Sequence, residues 1–134
     1  MGSNFAIASP RFPVGATSDF ANEIAEELLN LSFTGHTARY MASDEIGTNE
    51  IAAAVGKAIG KPDLLWVPFG DSDALNGMLQ AGLPEEIAKN YVEMGAALNT
   101  GVMQTDYLAH RPATFGKVKL NDFANIFAAA YNTN

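Results

Sequence analysis

The side chains in this chain best placed to do chemistry are its tyrosines, because a phenol with a lysine four positions later can transfer a proton. The cation lowers the pKa of the phenol and so prepares it for that step. No tyrosine has such a lysine, and the pairs at this spacing are Tyr40 and Asp44, Tyr91 and Gly95, and Tyr107 and Arg111. Arginine does not replace lysine in this role. We therefore expect Tyr107 and Arg111 to form a surface cation–aromatic contact, and the sequence predicts no catalytic residue.

Motifs for phosphate and metal binding are missing from the sequence as well. No three glycines have the G-x-G-x-x-G spacing that lets a backbone approach a dinucleotide. Gly56-Lys57 and Gly60-Lys61 lack the rest of a P-loop, so we interpret both lysines as solvated charges at a helix end. The two histidines, His36 and His110, are far apart in sequence. No metal site is predicted, and the chain alone is expected to bind no cofactor.

Composition narrows the possible partners and the location. The 134 residues include 15 acidic and 8 basic ones, for a formal charge of -7, and the basic residues are scattered. A nucleic-acid partner is therefore not expected. No apolar run reaches the roughly 20 residues that a membrane span needs, and cysteine is absent, so we expect no membrane partner and a cytoplasmic location.

The length fits one domain. The first three residues, Met1-Gly2-Ser3, are typical of a remnant of an expression vector. We therefore expect the natural domain to occupy residues 4–134.

Helical periodicity dominates the domain. Apolar residues at intervals of three and four, with capping residues and glycine or proline stops, predict five helices at 18–31, 47–60, 71–82, 84–98 and 121–131. The first is predicted to bury Phe20, Ile24, Leu28 and Leu31. The fourth has a seam for another helix, formed by Ile87, Tyr91, Met94 and Leu98. The fifth has a wide apolar stripe of Phe123, Ile126, Phe127, Ala130 and Tyr131.

Two short strands are predicted between the helices. Residues His36 to Ser43 alternate in polarity, which is typical of a strand. The apolar run from Leu64 to Val67 is bounded by prolines and favours a brief buried strand. Residues 99–119 are weakly patterned and predict a loop with one helical turn near Asp106. The whole predicts an α+β fold in which helices predominate.

Several segments occur in a characteristic order along the chain. They are IAEELL (24–29), RYMASDE (39–45), NEIA (49–52), AIGKP (58–62) and MLQAGLPEE (78–86). In this order they resemble the second half of the NmrA-like, quinone-reductase-type atypical short-chain dehydrogenases. The resemblance covers residues 4–131 and implies a C-terminal fragment of an α/β, Rossmann-type parent.

The resemblance also implies a site. In such parents an N-terminal half binds NAD(P), and the C-terminal lobe closes over the nicotinamide, with a small-molecule substrate between them. Pro10 and Phe12 would then lie at the nicotinamide end as cofactor-binding residues of the parent. Phe12, Met78 and Tyr91 would line the substrate side. The helical positions of Met78 and Tyr91 also fit core packing, so both interpretations stay open.

The function implied is the substrate-binding lobe of an NAD(P)-dependent oxidoreductase or redox sensor, inactive without its dinucleotide-binding half. The alternative is a stand-alone regulatory or protein-interaction module without catalysis. If the strand His36 to Ser43 belongs to a sheet completed by the other half, its open edge would also favour a homodimer.

Overall fold

A computed structural model describes residues 11–31 and 33–133 of the chain. Six α-helices and a small sheet account for its regular structure in those ranges. In chain order the elements are β1 (Phe12–Val14), α1 (Thr17–Asn30), β2 (Asp44–Ile46), α2 (Thr48–Ala58), α3 (Asp71–Gln80), α4 (Glu85–Thr100), a 3₁₀ turn (Val102–Gln104), α5 (Thr105–Ala109) and α6 (Leu120–Tyr131). The predicted α+β class with dominant helices is confirmed.

The sheet consists of β1 and β2, which pair antiparallel with Phe12 opposite Ile46 and Val14 opposite Asp44. Pro13 lies in the middle of β1 and has no N–H to donate, which limits such a strand to an edge position. Arg11 holds the start of the strand by donating hydrogen bonds to the Glu45 carbonyl and the Glu50 carboxylate. The sheet therefore joins the entries of α1 and α2.

Both predicted strands are wrong in position. Residues 36 to 43 are irregular, and the strand begins at Asp44, one residue after Ser43, whose N–H donates to the Val14 carbonyl at 2.8 Å. The run from Leu64 to Val67 is irregular too, with Leu65 78% exposed. Alternating polarity permits a strand, but a strand also needs a neighbour to satisfy its backbone. Neither segment has a ladder partner within the described ranges.

Two helix pairs provide the packing. In the pair of α3 and α4, the buried core consists of Ala74, Met78 and Ala88, and half-buried apolar residues surround it. In the other pair, α2 packs against α6, and the buried side chains of α6 are Ala124 and Ala128. Small residues at these positions allow close approach of the helices. Within the described ranges no helix is long and apolar enough to cross a membrane.

The helix α1 follows the prediction in its bounds and contradicts it in its burial. None of its residues is buried, and Ile24, Leu28 and Leu31 are 57%, 61% and 70% exposed. Phe20, near the start of the helix, is half-buried. The predicted buried face is thus open along most of its length, because no described element packs against it.

The two other predicted apolar faces also differ from the structure. On α4, Ile87 and Tyr91 are exposed, while Ala88 and Gly95 are buried, so the packed face is rotated from the predicted seam. On α6, the predicted stripe faces outward, whereas Ala124 and Ala128 are buried. Alanine carries little weight in an apolar periodicity, yet its small side chain permits close helix contact, and this explains both differences.

Candidate functional site

A cleft lies beside the N-terminal half of α1. Segment 38–43 and loop 110–117 form its other walls. Its volume is about 490 Å³, which falls in the range of small-molecule sites. We call it the Asp19 cleft, because Asp19 joins all three walls.

Asp19 is the central acceptor of this cleft. Its Oδ2 atom accepts a hydrogen bond from the Ser43 hydroxyl at 2.7 Å and another from the Val118 N–H at 3.0 Å. These bonds lower the pKa of Asp19, the Ser43 hydroxyl having the largest effect. The carboxylate therefore connects the first turn of α1 to residues 24 and 99 positions away in sequence.

Ser43 is buried, with 2% of its surface exposed. Its hydroxyl donates to Asp19 and accepts the Ala16 N–H at 2.9 Å. The Lys119 ammonium donates to the Ser43 carbonyl at 2.6 Å and not to the hydroxyl. The hydroxyl proton is directed at the Asp19 carboxylate, whose lowered pKa makes it a weak base for activating Ser43 in nucleophilic attack. Ser43 and its contacts therefore hold the floor of the cleft in place, and any reactive group in the cleft would have to come from a bound molecule.

Gly116 completes the floor by allowing a close approach. Its N–H donates to the Ala42 carbonyl at 2.9 Å. A β-carbon at this position would lie 2.3 Å from Asp19 Oδ2 and 2.9 Å from the Ser43 hydroxyl oxygen. Any larger residue would therefore displace the contacts that hold the three walls together.

An aromatic corner forms one rim of the cleft. The rings of Tyr40 and His110 stack with an interplanar angle of 17° and centroids 6.3 Å apart. The Tyr40 hydroxyl donates to the Asp106 carboxylate, and this bond is the main reason that the pKa of Tyr40 is raised. The imidazole of His110 lies 3.3 Å from the same carboxylate. The rim thus offers a flat apolar surface for a ligand ring.

Tyr107 and Arg111, which stand at the spacing of a proton-transfer pair, meet at Glu45 on the neighbouring surface. The Tyr107 hydroxyl donates to Glu45 at 2.7 Å, and the Arg111 guanidinium binds both oxygens of that carboxylate, each at 2.7 Å. Burial and then Glu45 raise the pKa of Tyr107, whereas proton transfer near neutral pH requires a lowered one. The predicted cation–aromatic contact does involve Arg111, but its partner is Phe115, at 5.2 Å.

Of the residues predicted to bind cofactor or substrate, Phe12, Met78 and Tyr91 lie in the described ranges, and none of the three lines the Asp19 cleft. Phe12 is half-buried in β1. Met78 is 8% exposed in the core of α3 and α4, where core packing explains it. Tyr91 is 40% exposed on α4. Pro10 lies outside the described residues.

The groups that build the cleft were not predicted from sequence. By sequence, Asp19 is an acidic residue in the first turn of the helix predicted at 18–31, where the helix dipole alone explains it, and Ser43 is the last residue of a predicted strand. Their contacts join distant residues and leave no local pattern. Within the described residues no three histidine, aspartate or glutamate side chains are arranged to hold a metal ion.

Comparison with known proteins gave no neighbour: no family model, no curated protein and no solved structure matches the chain. The resemblance to the NmrA-like proteins stays a prediction from the order of the sequence segments.

Proposed function

We propose that this chain is the substrate-side lobe of an NmrA-like NAD(P)-dependent oxidoreductase or redox sensor, and that it acts only with a dinucleotide-binding half. The observation that carries the proposal is the open apolar face of α1. This face belongs to the IAEELL segment, which is part of the resemblance. A helix with the periodicity of a packed helix and no buried residue is expected to pack against a partner.

The apolar face of α1 leads into a shallow groove of about 260 Å³ lined by Ile24, Leu28 and Met41. Arg39 forms ion pairs with Glu23 and Glu27 and holds the segment before β2 against the helix. Covering Ile24 and Leu28, each more than half exposed, would contribute roughly 1–2 kcal/mol per side chain. The groove therefore supports the proposal that the dinucleotide-binding half packs against this face of α1.

The Asp19 cleft adjoins this groove and supports the substrate role of the lobe, because Glu23, Arg39 and Met41 line both. Asn22 and Glu26 line the Asp19 cleft, while Ile24 and Leu28 line the groove. One helix would thus contact the dinucleotide-binding half on its apolar side and a small molecule on its polar side. Ligand sites are common at such boundaries between lobes.

The test supplies the dinucleotide-binding half of an NmrA-like protein in trans and follows NADPH fluorescence and quinone reduction. We expect no cofactor binding by the chain alone, because it lacks the glycine-rich turn that holds the pyrophosphate. The mixture should bind NADPH and protect the amides of α1 from exchange.

A matched pair of variants makes this test specific. Leu28→Asp should abolish complementation, because it places a charge in the proposed interface. Leu108→Asp, at a position of nearly equal exposure on α5 (63% against 61%), should leave complementation unchanged. Tight NADPH binding by the chain alone, or equal behaviour of the two variants, would contradict the proposal.

A further inference from the structure

The second open apolar surface is the outer face of α6. Phe123, Phe127 and Tyr131 follow one another at intervals of four, with ring centroids 6.5 Å and 6.0 Å apart. They are 50%, 39% and 43% exposed, and the neighbouring Ile126 is 62% exposed. We call these four side chains the α6 stripe. It lies on the side of the helix away from α2, because Ala124 and Ala128 are the buried residues.

The charges near the α6 stripe are few and opposite in sign at its two ends. Asp122 is the only charged residue within α6 and stands beside Phe123. At the other end, the Lys61 ammonium donates to the Tyr131 hydroxyl at 2.8 Å and lies 5.4 Å from the centre of the ring. The stripe thus runs from a negative end to a positive end over about 12 Å of helix.

We infer that the α6 stripe is the contact surface for a second copy of this chain, with the two α6 helices antiparallel about a two-fold axis near Phe127. In that arrangement Phe123 lies opposite the partner's Tyr131, and Asp122 approaches the partner's Lys61. A two-fold contact requires a self-complementary surface, and opposite charges at the two ends of one stripe meet that requirement. The arrangement leaves the α1 groove open for the partner of the proposed function.

Charge also explains why this surface is favoured over the other open apolar faces. The chain carries a formal charge of -7, so two copies repel each other unless they meet where like charges are sparse. The α1 groove has Glu23 and Glu27 beside Ile24 and Leu28, two carboxylates that share the single cation Arg39, and a two-fold contact there would bring this negative excess of both copies together. The α6 stripe avoids this.

The area of the stripe sets the expected strength of the contact. The exposed parts of the four side chains amount to roughly 300–400 Å² per copy, against about 800 Å² per partner in a standard stable interface. The dimer is therefore weak and depends on concentration by mass action.

Sedimentation equilibrium of the intact chain over about a hundredfold range of concentration is the direct test. We expect the average mass to rise from monomer toward dimer. Ile126→Asp should weaken the association about tenfold or more, as expected when a charge enters an apolar contact. Ile24→Asp, at a similarly exposed site on α1, should leave it unchanged, and circular dichroism checks that both variants stay helical.

A charge reversal tests the antiparallel geometry while the four side chains of the α6 stripe themselves stay unchanged. Lys61→Glu brings a carboxylate toward the partner's Asp122 and should weaken association, most strongly at low salt. Lys89→Glu makes the same change in net charge on α4 and should have a smaller effect.

Three results would overturn the inference: a monomer at every concentration, association lost in Ile24→Asp but kept in Ile126→Asp, or equal effects of the two lysine reversals. The α6 variants are tested by self-association and the α1 variants by complementation. A failure of this inference, which does not rest on the proposed function, can therefore be told apart from a failure of that function.

Discussion

The α3–α4 pair and the helix α1 have similar amphipathic sequences, but apolar side chains are buried in the pair and exposed on α1. In α3–α4, Met78 and Ala88 are 8% and 0% exposed and make an apolar core. In α1, Ile24 and Leu28 remain largely open, and the helix is attached at its N-terminal turn by polar contacts of Asp19 with Ser43 and loop 110–118. The periodicity of a helix thus predicts which face is apolar. It does not predict whether another part of this chain packs against that face.

The difference has a consequence for stability. Apolar burial in α3–α4 contributes wherever water is excluded, while the attachment of α1 depends on the hydrogen bonds of Asp19 and on the ion pairs of Glu23 and Glu27 with Arg39. The stability of the α3–α4 pair should fall when a buried side chain is made smaller. The attachment of α1 should weaken when the space beside Asp19 is filled or when its carboxylate loses its charge.

The largest effect is expected from emptying the α3–α4 core. Met78→Ala should lower the free energy of unfolding by about 2–5 kcal/mol, because it leaves a cavity among packed side chains. Leu28→Ala on α1 should change it by less than about 0.5 kcal/mol, the usual range for a surface change. Urea unfolding measures both, and equal losses would mean that α1 is buried in solution.

A smaller effect is expected from filling the space at Gly116. Gly116→Ala should destabilise the fold by about 1–3 kcal/mol, because the new methyl group collides with Asp19 and Ser43. Gly95→Ala is the control of opposite sign. Nothing lies within 4 Å of a β-carbon at that position in the middle of α4, so it should stabilise the fold by about 0.5–1 kcal/mol. Thermal unfolding of the two variants measures both changes in stability, and so compares the polar attachment of α1 with the α3–α4 pair.

The smallest effect is a dependence of the α1 attachment on pH. The pKa of Asp19 is lowered by Ser43, and the pKa of Glu45 is lowered chiefly by Arg111. A carboxylate whose pKa is lower in the folded state stabilises the fold above its ordinary value and loses that stabilisation as the pH falls through the folded pKa. The ordinary values are 3.8 for Asp19 and 4.5 for Glu45.

We therefore expect amide protection factors in α1 to fall as the pH drops below about 3.8, the ordinary pKa of Asp19, while those of the α3–α4 core persist. Native-state hydrogen exchange measures both regions in one sample. In Asp19→Asn the dependence of α1 on pH should be reduced. Simultaneous loss of protection in both regions would show that α1 and the core unfold as one unit.

The sequence by itself determined the helices, because spacing, capping residues and the glycine and proline stops act within a few residues. The predicted ranges 71–82 and 84–98 became α3 and α4, and the helical turn near Asp106 became α5. It also determined which side chains are apolar on each helix. Those features follow from local sterics and hydrogen bonding.

Tertiary structure alone decided the strands, the buried faces and the cleft. The alternating residues 36 to 43 stay irregular because pairing needs a neighbour that no local pattern specifies. Alanines such as Ala88, Ala124 and Ala128 are the buried residues at the helix contacts, because close approach depends on both helices at once. Asp19 meets Ser43 and Val118 only after the chain has brought distant segments together, so its role depends on long-range geometry, which residue type and spacing do not encode.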